Sequence, residues 1–114
     1  MNEESIYHLL AHLADGKVFQ YVAPAEYQGQ KIKPPWVVLS IISDVSADVL
    51  GGQAESSVSV QIDAWALTLK EARALRDGAM EAVSVLRPTN INRIPSYEPE
   101  NRYYRATLEF QVTV

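Results

Sequence analysis

Cysteine is absent from this 114-residue chain. Its absence excludes disulfides, thiolate metal sites and a cysteine nucleophile, and it fits a reducing compartment. A basic excess is also missing: 10 Lys and Arg stand against 14 Asp and Glu, for a net charge of −4. Tight binding to a phosphate backbone needs a basic surplus or stripe, so specific nucleic-acid binding is not expected. Only a local basic patch assembled in three dimensions would change that. No apolar run approaches the roughly 20 residues that span a bilayer, so no membrane partner is expected. The start, Met1-Asn2-Glu3-Glu4, is acidic and lacks the basic segment and apolar run of a signal peptide, which predicts a cytoplasmic protein when made. What is present is an ordinary globular composition, 47% apolar. That suffices for one small domain over 1–114, with a core modest enough to gain stability from partner subunits.

Periodicity predicts α+β architecture in the order α-β-β-β-α-β-β. Ile6, Leu9, Leu10 and Leu13 share one helical face. Glu3 and Glu4 sit in that helix's first turn, and Asp15-Gly16 ends it. A short strand over 18–22 leads into a proline-bearing loop over 23–35. The β-branched segment 36–45 reads as a strand covered on both sides in its first half. Strict alternation over 57–66 puts Val58, Val60, Ile62 and Ala64 on one face, and Gln61, Asp63 and Trp65 on the other. A turn at Gly51-Gly52 would make these two strands a hairpin. The clearest helix spans 69–86, opened by the capping pattern Thr68-x-x-Glu71 and stopped by Pro88. A strand or extended edge over 90–96, limited by Pro95 and Pro99, a turn over 97–101 and an alternating strand over 102–114 complete the chain. One mostly antiparallel sheet with both helices on one face is the natural arrangement.

Catalytic chemistry is hard to find. His8 and His12 have the i, i+4 spacing of helical metal ligands, but residue 9 is Leu rather than Glu and no third ligand is evident. They read as two partly exposed helix histidines. Asp44 with Asp48, Asp63 with Glu109, and Glu98 with Glu100 are candidate carboxylate pairs. Acid–base work needs a pocket that drives their pKa values apart, and Asp63 and Glu109 are expected to be solvated on polar strand faces. Gly51-Gly52 lacks the residues of a phosphate loop, and no Gly-x-Ser-x-Gly elbow exists. No catalytic residue, cofactor or metal is expected.

Apolar residues in awkward places say more. Val49 and Leu50 fall at a predicted hairpin tip, where two aliphatics gain nothing from water and suggest a partner contact. Tyr97, Tyr103 and Tyr104 gather around the last turn, and tyrosine is enriched at interfaces. Lys31 and Lys33 lie in the long loop. Lys31, Lys33, Val49, Leu50, Tyr97 and Tyr103 are therefore the interface candidates. Trp65, on the polar side of its strand, reads as covered by the first helix or by the loop.

These segments together resemble a known family. The Leu9-Leu10 helix is followed by a proline-bearing loop and the strand Pro35-Trp36-Val37-Val38-Leu39. Next come Gln61-Ile62-Asp63-Ala64-Trp65 and the helix opening Thr68-x-x-Glu71-Ala72-x-Ala74-Leu75. Tyr97-Glu98-Pro99-Glu100 and Tyr104-Arg105 close the pattern. It resembles the tail-completion, or tail-to-head joining, proteins of long-tailed bacteriophages and prophages, over roughly residues 3 to 114. The resemblance implies a non-enzymatic virion protein, without cofactor, at the head–tail junction. Related terminator proteins form rings, commonly hexameric. The implied partners are further copies of the chain, the tail tube protein and the head-connector proteins. A monomeric adaptor domain and a small carboxylate enzyme are the rival readings.

Overall fold

The computed structural model describes residues 1–46 and 56–113. Its elements are α1 (Glu3–Leu10), β1 (Val18–Gln20), β2 (Glu26–Tyr27), β3 (Gln30–Lys31), β4 (Trp36–Ser46), β5 (Ser56–Ala66), α2 (Leu69–Val83), β6 (Thr89–Glu98) and β7 (Tyr103–Thr113). Five strands form one sheet in the order β1-β4-β5-β7-β6, and β2 pairs with β3 as a separate ribbon. All neighbours within the main sheet are antiparallel except β1 and β4, which run parallel.

Alternation dictates the layers. Val37, Leu39, Val58, Val60, Ile62, Leu108, Phe110 and Val112 are buried in one cluster with Ile6 and Leu10 of α1 and Ala79 and Val83 of α2. Both helices therefore cover the same side of the sheet, here called the helix face. A fully buried aliphatic side chain of this kind stabilises by about 1.5–3 kcal/mol. Gly78 lies against Leu13, and a Cβ added there would sit 3.3 Å from that side chain. Glycine at mid-helix costs about 1 kcal/mol of propensity, which here permits close approach of α2 to the turn after α1.

Several boundaries differ from the sequence reading. α1 stops at Leu10, and Leu13–Gly16 forms a 3₁₀ turn with Ala14 and Asp15 at positive φ. Leu9 is only half-buried. The α1 cap is Asn2, which accepts from the Ser5 amide while the Ser5 hydroxyl bonds back. The Thr68 side chain accepts from the Glu71 amide, as the capping pattern predicts, but α2 proper ends at Val83 and a 3₁₀ turn, Ser84–Leu86, follows. The expected loop over 23–35 contains the β2–β3 ribbon. In β4 a bulge between Ile41 and Ser43 shifts the register. An inserted residue reverses which side chains face which layer. Asp44 thus pairs with Val58, while Val45 pairs with Ser57 and is left 60% exposed.

Candidate assembly surface

The face opposite the helices has two halves. At the end where β4 begins, Trp36 of β4 stacks on Trp65 of β5 with centroids 5.8 Å apart, and Tyr103 of β7 meets Trp36 edge-on at 5.5 Å. Phe19, Ala23, Tyr27 and Ile32 close over this group from β1 and the ribbon. The loop thus covers Trp65, as expected. Its real work is a second small core beneath a segment that looked irregular in sequence.

Beside the aromatics lies a buried polar network that corrects the expectation of solvated carboxylates. Asp63 is only 7% and Thr107 only 5% exposed. The Thr107 hydroxyl donates to Asp63 Oδ1 at 2.6 Å, and Gln61 Nε2 donates to Oδ2 at 2.9 Å. Arg105 reaches Asp63 and Glu98, each at 3.9 Å, and donates from Nε to the Ser96 hydroxyl at 3.2 Å. Its guanidinium lies 5.2 Å from the centre of the Trp65 ring, a cation–π distance. Every oxygen of Asp63 has a partner, so burial of the charge is compensated. A shallow pocket of about 270 Å³ opens here, lined by Tyr21, Val22, Trp36, Asp63 and Arg105 among others. Asp63 is spent on tying β5 to β7, Arg105 extends the network to β6, and Glu109 lies in a different cross-strand row. Glu98 is occupied by Arg105, and Glu100 is exposed in the turn.

The other half of this face, around Ser43, Ser59, Glu109 and Gln111, is mostly polar, with Ile42 exposed beside them. His8 and His12 are both exposed on or just after α1, and among the described residues no group of three His, Asp or Glu side chains is placed to hold a metal.

The interface candidates separate in space. Lys31 and Lys33 are exposed and share a pocket of about 380 Å³ with Lys17 and Asp15, so a local basic patch does exist. Lys17 also donates to the Lys33 carbonyl at 2.8 Å. Tyr103 is half-buried against Trp36, whereas Tyr97 is 47% exposed and rests on Tyr104 at 4.8 Å on the helix face. Val49 and Leu50 lie outside the described residues. The reading of 90–96 as a strand or extended edge agrees with the sheet, in which β6 is the outermost strand. β6 is exposed at almost every position, with Ile91, Ile94 and Tyr97 open to solvent. Pro95 within the run carries the edge reading, because proline in a sheet is confined to edges.

Comparison with known proteins places this architecture. The sequence matches the family described as tail completion protein gp17 over residues 6–114. The chain belongs to that family. Its fold is also similar to a chain in a solved structure described as the virion of a native gene transfer agent particle. The likeness has a TM-score of 0.68 at 19% identity, covering 96% of this chain and 90% of that one. No match is found among curated proteins. Membership of the tail completion family makes this chain a structural protein of a phage-type tail.

Proposed function

We propose that this tail completion protein caps the head-proximal end of a tail tube and joins the tail to the head connector, as one subunit of a homo-oligomeric ring. It does so as one domain, through contacts rather than catalysis, in the assembled virion and in the host cytoplasm beforehand. The family match over 6–114 carries the reading. The exposed long edge of the sheet, with three apolar side chains on it, fits a chain that works among neighbours. Lys31, Lys33, Val49, Leu50 and Tyr97 are the proposed contacts to neighbouring subunits, tube or connector. Tyr103 contributes mainly by holding Trp36. The test is labelling of purified virions or tails with antibody against this chain, read by electron microscopy. Label at the head–tail junction is expected, and label confined elsewhere overturns the proposal. Leu50→Asp should leave the far-ultraviolet circular dichroism unchanged and impair tail assembly. Loss of folding instead would make Leu50 a core residue.

A further inference from the structure

The two edges of the sheet are unlike each other, and they match. One edge is β6 and the other is β1. Cross-strand register fixes their relative levels. Arg93 on β6 lies opposite Leu108, which lies opposite Ile62, then Leu39, then Gln20 on β1. That row contains the buried helix-face residues, so Arg93 stands on the helix face. Gln20, at the same level on the far edge, lines a surface pocket with Glu3 and Glu4 of α1. Arg93 is exposed and makes no ion pair among the described residues. One row along, Ile94 lies opposite Thr107, then Asp63, Val38 and Phe19, which places it on the opposite face. There the far edge presents Val22, 74% exposed beside Val38, against 42% exposure for Ile94.

We infer that the β6 edge of one copy packs against the β1–α1 edge of a second copy. Arg93 meets Glu3 and Glu4 on the helix face, and Ile94 meets Val22 on the other. Two complementary edges on opposite sides of one chain make a head-to-tail contact, the kind that closes into a ring. This rests on the ring reading above and adds which surfaces form it. Strand directions make the meeting antiparallel, since β6 runs opposite to β7 and β1 runs with β4. Pro95 on β6 and the three-residue length of β1 limit backbone pairing, so side chains carry the contact and open-ended strand stacking is discouraged.

The cysteine-free chain permits a direct test. Val22→Cys and Ile94→Cys proteins, each checked for folding by circular dichroism, are mixed under oxidising conditions, both concentrated in solution and incorporated into particles. A mixed disulfide is expected, with neither variant cross-linking to itself. Self-cross-linking of Ile94→Cys alone would show a two-fold contact and overturn the inference. Oligomers without a mixed cross-link would also overturn it while leaving the ring reading intact. Absence of oligomers both in concentrated solution and in particles would remove the ring reading itself. As an independent arm, Arg93→Glu and Glu4→Arg should each weaken self-association by about fivefold, the scale of an exposed ion pair turned repulsive, and the double swap should restore it. Failure of the swap to restore association counts against the Arg93 contact.

Discussion

The two faces of the sheet are built on different principles. The helix face is a continuous apolar layer, in which apolar side chains from four strands interlock with two helices. The opposite face is divided into an aromatic cluster under the β2–β3 ribbon, a saturated polar network around Asp63, and an open stretch of serine, glutamine and glutamate. The first face holds the fold by area. The second holds strands in register by geometry and leaves the remainder of its surface free. A polar face need not be a solvated one: Thr107 and Asp63 are as buried as Val38 and Trp36 beside them, because the neighbouring strands carry tryptophan and arginine rather than small side chains.

This contrast predicts a ranking of effects. Ile62→Ala, in the helix-face core, should cost about 2–5 kcal/mol in denaturant unfolding. A loss well below 2 kcal/mol would mean that the core collapses around the gap and that the layer is looser than described. Asp63→Ala should cost about 1–3 kcal/mol, because the buried Thr107 hydroxyl loses its acceptor. No measurable loss would remove the claim that the polar network fixes register. Ser59→Ala, on the open stretch, should change stability by no more than about 0.5 kcal/mol in isolated protein. A larger change would show that this stretch is covered.

The smallest effect concerns the β1 edge. The Tyr21 hydroxyl donates to Glu3 at 2.8 Å. This bond holds the Glu3 carboxyl below its ordinary value of 4.5 and pushes the Tyr21 phenol above 10.0. For Glu3 the folded state favours the ionised form. Its contribution is therefore present above about pH 4.5 and fades as pH falls through the lowered value. For Tyr21 the folded state retains the proton, so stability falls as pH rises above 10. Tyr21→Phe should return Glu3 towards 4.5 in an NMR titration, with little change in overall stability. An unmoved Glu3 would show that the bond does not form in solution.

Much of this was legible in the chain itself. Alternation over β5 and β7 identified the buried columns, and the capping residue Thr68 located the start of α2. Other features were not legible, for identifiable reasons. The β4 bulge falls within Ser40-Ile41-Ile42-Ser43, and a pair of adjacent apolar residues does not by itself distinguish an inserted residue from a strand covered on both sides. β1 was readable as a strand, but its parallel pairing with β4 depends on where the chain returns after the ribbon. The ribbon is two residues on each side, too short for any period to show. Pro95 signalled an edge at β6, but the exposure of its apolar side chains was not legible, because exposure depends on neighbours, and neighbours are set by strand order.

The sequence by itself determined the fold class and the helix-face core, because period and apolar content are local properties that survive without coordinates, and it determined the family through its match over residues 6–114. Only the tertiary structure decided the rest. Strand order made β1 and β6 the edges, and register set Arg93 level with Gln20 beside Glu3 and Glu4. Burial turned Asp63 from a surface acid into an anchor. Each of these depends on residues far apart in the chain meeting across a sheet, and cross-strand meetings leave no trace in the spacing along one strand.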